Sequence, residues 1–480
     1  MQSNKVVGSF AYKFIERFSA KGIGLIIGII LARIISPDEF GQLAILTVFI
    51  SLSRTIIESG FNTSLIQNKN VSEDDYSTVF YLSLGISAIL ILILYFSAPL
   101  ISEYYETKAL VLPLRVYSFT LAFGAFNSIQ TAKLQREMRF KAIMTCSLIA
   151  TVLSGVLGVV MAYAGLGLWA LIGYHGSNIV FTSVCMLFVV KWRPKMVFSI
   201  SRAKILFGYG WKLLVSGILC SLYNDLRSLI IGKKFSTEML GYYSRGQQIP
   251  EMISTTMDSS IQSVMLPTLS DAQDEKPRLV AMLKRSSSLD LFLTAPAMVG
   301  LALVAESVVR LLYTDAWLPC VIYLQLICLA YIATPYMSSG LIAIKAIGRS
   351  DVYMKLEIVR RIMMLCILAI SIIFFDSVLA IAVGFVISSW VDALLVAIPV
   401  GRLTGYTLAQ QIKNTWKILL CSLIMGFVVF ALGYLEINII LKLGIQVCSG
   451  VLCYLALSCL LKIDSFIGLL ELLKRRFNRA

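Results

Sequence analysis

Long apolar runs, separated by short polar connections, follow one another along almost the whole chain. Each run holds about 20 or more mostly apolar residues, the length that a helix needs to cross the hydrocarbon core of a bilayer. Fourteen runs are predicted to form helices, with approximate bounds 8–35, 41–66, 77–101, 110–133, 142–164, 167–190, 205–232, 242–268, 287–313, 317–345, 352–375, 377–400, 414–434 and 438–461. The pattern predicts an all-α integral membrane protein with about 14 transmembrane helices.

Composition agrees with the membrane interpretation. Of the 480 residues, 58% are hydrophobic and 14% are charged, whereas soluble domains carry about 25% charged residues. The net charge of +15, from 42 Lys and Arg against 27 Asp and Glu, would suggest nucleic acid in a soluble protein. Here the basic residues occupy short connections between apolar runs, so membrane topology explains them and no nucleic-acid partner is expected.

Basic residues are concentrated in alternate connections, which predicts the orientation. One set of connections and the C-terminal tail hold most of them: Lys133 to Lys141, Lys191 to Lys204, Lys276 to Arg285, Lys345 to Lys355, Arg402 to Lys413 and Lys474 to Arg479. The other set holds little beyond Lys108, Lys233, Lys234 and Lys442. The positive-inside rule then predicts a multi-pass membrane protein with both termini in the cytoplasm. No cleavable signal peptide is expected before the first run.

The chain repeats itself at an offset of 200 residues. Ser36 to Leu43 aligns with Ser236 to Tyr243, and in both copies a short acidic turn precedes a glycine, Gly41 or Gly241. Because the copies are six helices apart, they have the same orientation, which predicts a parallel repeat. The expected domains are two six-helix lobes, an addition of two helices and an amphipathic cytoplasmic tail: 1–195, 200–402, 410–462 and 463–480.

Charged residues within the apolar runs are the candidate substrate-binding residues. Lys13, Arg17 and Lys21 share one helix face at i, i+4 and i+8, and Arg54 is expected at similar depth. Buried charges are costly unless they meet a partner or water. A cationic cavity that binds phosphate is therefore predicted, although pairing of Arg54 with Glu58 at i, i+4 could instead only stiffen the lobe.

A second group of charges is expected nearer the outer surface. Asp225, Arg227 and Arg245 are predicted at similar depth to Arg33, in the outer half, as a network of ion pairs that closes the cavity to the outside. Asp258 is expected deeper, and it and Glu58 are candidate carriers of an inward proton. Lys133 and Lys345 lie at inner helix ends, where snorkelling is a sufficient explanation.

Motifs for catalysis, for cofactors and for metal binding are missing from the sequence. It contains no P-loop, no GxGxxG after a strand, no HExxH and no GxSxG. The ten cysteines are scattered without a CxxC pair, so neither a metal site nor a disulfide framework is expected. We therefore expect no catalytic residues and no cofactor, and the short outer connections argue against a membrane polymerase or ligase.

Several short motifs resemble polysaccharide flippases. The segments that carry the resemblance are Arg33 to Gly41, Glu58 to Gln67, Ser77 to Phe80, Gly165 to Leu171, Trp192 to Pro194 and Ile230 to Arg245. Their order and spacing are similar to the WzxC/TuaB-like branch of Wzx-type flippases, in the multidrug/oligosaccharidyl-lipid/polysaccharide (MOP) superfamily. The family pattern carries over directly to Arg33, Gly41, Asp225, Gly232, Gly241 and Arg245.

The resemblance implies a transporter with two lobes that works by alternating access. Its cargo would be an undecaprenyl-diphosphate-linked oligosaccharide for capsule, exopolysaccharide or O-antigen lipopolysaccharide. The implied partners are this lipid-linked cargo, membrane lipids and the polysaccharide polymerase and export machinery. The alternatives are a flippase for the peptidoglycan lipid precursor and a cation-coupled drug exporter of the same superfamily, whose usually cationic cargo fits a basic cavity poorly. The sugar unit and the coupling ion stay open.

Overall fold

The computed structural model describes residues 21–58, 65, 72–273 and 275–468. These residues form α-helices and short 3₁₀ turns, without a β-strand among them. The predicted amphipathic tail lies outside the described residues beyond residue 468. The chain divides into two compact units, residues 1–244 and 245–480.

The first unit is built from antiparallel helical neighbours. Its helices are α1 (Lys21–Ala32), α2 (Pro37–Glu58), α3 (Glu73–Tyr104), α4 (Val111–Ser118), α5 (Thr120–Arg136), α6 (Phe140–Tyr163), α7 (Leu168–Val189) and α8 (Ile200–Lys234), followed by the start of α9 (Thr237–Asp271). Helix α2 contacts α5, α7 and α8, so it lies at the centre of this unit.

The second unit continues from α9. Its further helices are α10 (Lys276–Leu303), α11 (Ala305–Leu312), α12 (Cys320–Tyr331), α13 (Thr334–Ala346), α14 (Ser350–Phe374), α15 (Val378–Thr404), α16 (Leu408–Leu432) and α17 (Ile439–Leu460). Helices α16 and α17, which the repeat leaves as an addition, pack against α10. One of the contacts that attach them is the Tyr454 hydroxyl, which donates to the Phe292 carbonyl at 2.9 Å.

Each of the fourteen predicted apolar runs corresponds to helix where the structure describes it. Eleven helical stretches among the described residues are long and apolar enough to cross a membrane. The remaining three runs correspond to α1, α9 and α14, of which the last two carry several of the charges discussed below. The all-α multi-span fold is confirmed, and the number of fourteen crossings stays a prediction.

Three predicted runs are interrupted, in each case by a break in the regular helix. The run 317–345 is divided into α12 and α13, and Pro335 stands in the first turn of the second piece. Proline is favoured there because it lacks the N–H that a helix start cannot satisfy. The breaks in 110–133 and 287–313 separate α4 from α5 and α10 from α11.

The acidic turn of the repeat is a helix cap. Ser36 Oγ accepts from the Glu39 N–H at 3.4 Å, and the Glu39 carboxylate accepts from the Ser36 N–H at 3.2 Å, which is the reciprocal pattern of a capping box. Glu39 Oε1 also accepts from the Leu168 N–H at 3.1 Å, at the start of α7. The Glu39 carboxylate therefore accepts hydrogen bonds from backbone N–H groups at the starts of two helices, where these groups have no partner within the helix.

The two repeat glycines contact the opposite copy of the repeat. A Cβ atom on Gly41 would overlap the Thr237 carbonyl oxygen, and one on Gly241 would overlap the Pro37 carbonyl oxygen. The Thr237 hydroxyl also donates to Asp38 Oδ1. These contacts all lie within the first unit and are reciprocal, so the copies meet backbone to backbone where only glycine leaves room.

The predicted orientation can be tested by thiol labelling. A cysteine at Glu106, whose side chain is 82% exposed, should react with a membrane-impermeant thiol reagent added to intact cells. A cysteine at Asp351 or Glu275, both exposed in connections of the other set, should react only after the inner membrane is opened. The unsubstituted protein supplies the baseline for its own ten cysteines. Labelling of the Asp351 position from outside would reverse the predicted topology.

Candidate functional site

A polar cavity of about 210 Å³ lies between α2 and α5 in the first unit, and we name it the α2–α5 cavity. Its polar lining consists of Arg54 and Glu58 from α2 and Asn127, Ser128, Thr131 and Gln135 from α5. In a bilayer such groups need partners, because an unmet polar group costs several kcal/mol. Amides, hydroxyls and one guanidinium are groups that bind phosphate and sugar hydroxyls.

The charged pair of the cavity is the one expected from the i, i+4 spacing. Arg54 Nε donates to Glu58 Oε1 at 2.8 Å. The Arg54 side chain is nevertheless 48% exposed, so its remaining N–H groups are open to a ligand. Glu58 therefore neutralises the guanidinium without enclosing it, and an anion that enters the cavity competes with Glu58 for Arg54.

Buried amide groups on α5 have unmet hydrogen-bonding capacity. Asn127 Nδ2 donates to the Ile179 carbonyl at 3.1 Å, but its Oδ1 atom is buried without a partner among the described residues. The same holds for both polar atoms of the fully buried Gln130, on the next turn. Unmet buried groups are costly, so Asn127, which lines the cavity, is suited to a ligand or ordered water that supplies its missing bond, whereas Gln130 does not line the cavity.

Hydrogen bonds between α2 and α8 continue the polar face away from the cavity. Ser51 Oγ donates to Asp225 Oδ2 at 2.8 Å, and the hydroxyls of Thr55 and Ser221 lie 2.9 Å apart. Ser51 lies fourteen residues into α2, or about 21 Å from its start. Ser51 is about one turn from Arg54, so Asp225 meets α2 near the level of Arg54, and its predicted position in the outer half of the membrane stays a prediction.

The other predicted residues of the cationic face are only partly described. Lys13 and Arg17 lie outside the described residues. Lys21 is the first described residue of α1 and is exposed, and Arg33 is exposed in the turn between α1 and α2. The grouping of Arg54 with the three cations of helix 1 therefore stays a prediction.

The three residues expected to form an outer network belong to different units. Asp225 and the half-buried Arg227 lie on α8 in the first unit, whereas Arg245 is the first residue of the second unit. Arg245 is buried, donates to Gln248 and lies 6.0 Å from the ring centroids of both Tyr313 and Trp317. Within its own unit Arg245 is therefore a buried cation at the distance of cation–π interactions with two aromatic rings.

Asp258 lies beside a second carboxyl group that the sequence interpretation missed. Its Oδ2 atom accepts from Gln262 at 2.6 Å, its Oδ1 atom is buried without a hydrogen-bond partner among the described residues, and the Asp290 carboxyl lies close enough for the two charges to interact. Thr294 donates to Asp290 at 3.2 Å. Two neighbouring carboxylates repel each other when both are charged, and protonation of one of them removes this repulsion. Asp290 is the fourth residue of the predicted apolar run 287–313, and that position was the available signal.

A buried ion cluster in the second unit was also missed. Arg360 on α14 makes two bonds to Asp392 on α15, at 3.0 and 2.8 Å, and one to Glu357 at 2.7 Å. Arg360 and Asp392 are only 6% and 3% exposed, so both charges are removed from solvent. Their presence inside apolar runs signalled a pair, but the partners are 32 residues apart, and no local spacing rule connects them.

Comparison with known proteins gives consistent results. A family model described as "Polysaccharide biosynthesis protein" matches residues 30–322. The teichuronic acid biosynthesis protein TuaB of Bacillus subtilis is 22% identical, over 86% of each chain. The lipopolysaccharide biosynthesis protein WzxC of Escherichia coli is 23% identical, over 86% of this chain and 84% of that protein.

Solved structures with this fold are also found. The lipid II flippase MurJ in an inward closed conformation has a TM-score of 0.78 at 17% identity, covering 94% of this chain and 98% of that one. An inward-facing multidrug resistance MATE family transporter of the MOP superfamily has a TM-score of 0.62 at 16% identity, covering 82% and 99%. At these identities the likeness is one of fold.

Proposed function

The chain belongs to the polysaccharide biosynthesis protein family, and on that premise we propose that it carries a lipid-linked oligosaccharide from the inner to the outer leaflet of a bacterial inner membrane. It is a membrane transporter of the polysaccharide flippase group, not an enzyme. The proposed carrier is undecaprenyl diphosphate, and the proposed cargo is one unit of a capsule, exopolysaccharide or O-antigen. Alternating access is the proposed mode of transport.

The α2–α5 cavity is the observation that supports this proposal. It brings a guanidinium, its partner carboxylate, two amides and two hydroxyls together inside an apolar helical unit. The guanidinium can bind a phosphate when it releases the carboxylate, and the amides and hydroxyls can bind sugar hydroxyls, so this chemistry suits an anionic headgroup joined to a sugar. The relatives bear names from teichuronic acid, lipopolysaccharide and succinoglycan biosynthesis, which supports a lipid-linked sugar as cargo.

In the proposed mechanism the diphosphate replaces Glu58 as the partner of Arg54. Its phosphoryl oxygens accept from the free N–H groups of Arg54, and Lys13, Arg17 and Lys21 supply the further positive charge that a diphosphate requires. Arg33, Asp225, Arg227 and Arg245 are proposed to contribute to gating within their own units. Glu58 and Asp258 are the candidate carriers of an inward proton.

The membrane potential alone can drive such transport. The cell interior is negative, and outward movement of one negative charge is favoured by about 2.3 kcal/mol per 100 mV. A diphosphate carries about two charges, so its outward movement gains roughly 4–5 kcal/mol per 100 mV. A coupling ion is therefore unnecessary for direction, although an inward proton would add to the driving force.

Replacement of Arg54 tests this function in cells. Arg54→Gln should reduce polysaccharide export at least about tenfold, because a hydrogen bond to a charged group contributes about 1.5–3 kcal/mol. Arg54→Lys should retain part of the export, since the charge remains while the planar fork is lost. Export is measured as surface polysaccharide, at equal amounts of membrane-inserted protein.

The chain supplies a matched control for this substitution. Arg310 forms the same i, i+4 pair with Glu306, at 3.0 Å, on α11 of the second unit, where it also contacts Asp315 at 3.2 Å, and it does not line the α2–α5 cavity. Arg310→Gln should leave export near the wild-type level. Equal loss from both variants would mean that Arg54 acts through helix stability alone, and undiminished export by Arg54→Gln would remove the binding role.

A further inference from the structure

A second cavity, of about 510 Å³, lies at the C-terminal end of α5, beside the end of α7, and shares no lining residue with the α2–α5 cavity. We name it the α5–α7 cavity. It is lined by five basic and two acidic side chains, an excess of three positive charges. It belongs entirely to the first unit, and the cationic residues around it fall in the connections predicted to be cytoplasmic.

Two of the cations are held in fixed positions. Lys133 Nζ donates to Glu73 at 2.8 Å and lies 5.5 Å from the Tyr76 ring centroid and 6.0 Å from that of Trp192. The Arg193 guanidinium donates to the carbonyl groups of Leu187, Val190 and Trp192 at 2.9–3.0 Å, and so caps the end of α7. Snorkelling is thus an incomplete explanation of Lys133, because its ammonium group is held by Glu73 and two aromatic rings in the lining of the cavity.

The other cations are free to move at the rim. Lys191 is exposed, the Lys195 side chain is 61% exposed with a long 3.8 Å contact to Asp74, and the Arg139 side chain is 50% exposed. Exposed pairs of this kind contribute little to stability. They can therefore turn toward an anion without a large cost to the fold.

Apolar side chains flank the charged cavity. Phe188 is 82% exposed on the last turn of α7, and Met196 is 94% exposed just beyond the basic segment. Phe188 precedes Val189 and Met196 follows Lys195, two residues that line the cavity, and exposed apolar side chains next to cations at a helix end are typical of the boundary between acyl chains and headgroups. A soluble anion would use the charges but would leave these apolar side chains without a role.

We propose that the α5–α7 cavity binds the headgroup of an anionic phospholipid of the surrounding bilayer. Lys133 and Arg193 face the phosphate, Lys191 and Lys195 close over it, and the acyl chains extend along Phe188. Bound there, the lipid would hold the ends of α5 and α7 together. This site is separate from the α2–α5 cavity and does not depend on the proposed cargo.

Lipid retention by the purified full-length protein tests the site. The wild type, in mild detergent with added phosphatidylglycerol or phosphatidylcholine, should retain phosphatidylglycerol selectively in native mass spectra. The double variant Lys191→Gln/Lys195→Gln should weaken this retention about 25-fold, since each Lys near an anionic lipid contributes about fivefold. Both positions are exposed, so folding is expected to persist, and a thermal unfolding curve checks it.

Lys141→Gln is the control, because Lys141 is exposed close to Arg139 but does not line the cavity. It should retain phosphatidylglycerol like the wild type. Equal retention of phosphatidylcholine, or the same loss in Lys141→Gln, would overturn the proposal. Complete displacement by inorganic phosphate would also overturn it, by identifying a site for a free anion.

Discussion

Alanine in place of Gly241 should abolish polysaccharide export and lower the amount of folded protein. The added Cβ would overlap the Pro37 carbonyl oxygen, which belongs to the backbone of a helix start and cannot rotate away. Overpacking of a core by flexible side chains already costs about 1–3 kcal/mol, and a backbone obstacle should cost more. Gly41→Ala should act in the same way, since its Cβ would overlap the Thr237 carbonyl oxygen.

Gly85 provides the comparison for these glycines. It lies inside α3 with nothing within 4 Å of the position of an added Cβ, and alanine favours a helix over glycine by about 1 kcal/mol. Gly85→Ala should therefore keep both export and thermal stability in detergent. Normal stability of Gly241→Ala would contradict the close backbone contact between the two repeat copies.

Asp392→Leu should destabilise the second unit strongly. Removal of one member of a buried ion pair leaves the other charge without compensation, at a cost of about 3–5 kcal/mol. Arg360 would keep Glu357 but lose both bonds to Asp392. A large fall in the thermal unfolding midpoint of the purified protein is the expected result.

The double variant Asp392→Leu/Arg360→Met separates charge from shape. Apolar replacements of a whole buried pair are often neutral, so this variant should recover much of the lost stability. Asp351→Leu, at an exposed pair with Arg349, should have little effect. If the double variant is as unstable as Asp392→Leu, the cost comes from lost packing and the ion pair is not its cause.

The helices and the repeat could be predicted because each depends on a pattern that can be read along the sequence. Apolar length determines a membrane span, and the 200-residue offset relates Gly41 to Gly241. The sequence did not indicate that each glycine faces the backbone of the other copy. That contact depends on the distance between two helix starts, which no periodicity specifies.

The candidate site could be predicted only where its partners are close in sequence. Arg54 and Glu58 form the expected pair because i, i+4 residues share a helix face. Asp225 bonds to Ser51, 174 residues away, so its depth depends on how α2 and α8 are aligned. The ion pair between Arg360 and Asp392 likewise depends on how α14 packs against α15.

Flipping measured directly in vesicles tests the central claim. The purified protein is reconstituted with an undecaprenyl-diphosphate-linked oligosaccharide, and the fraction of cargo that reaches the opposite leaflet is followed with and without a membrane potential. The account predicts that the wild type and Arg310→Gln flip the cargo, that a potential negative on the side of departure speeds them, and that Arg54→Gln is nearly inactive. Equal flipping by Arg54→Gln and the wild type, or rates unchanged by the potential, would contradict it.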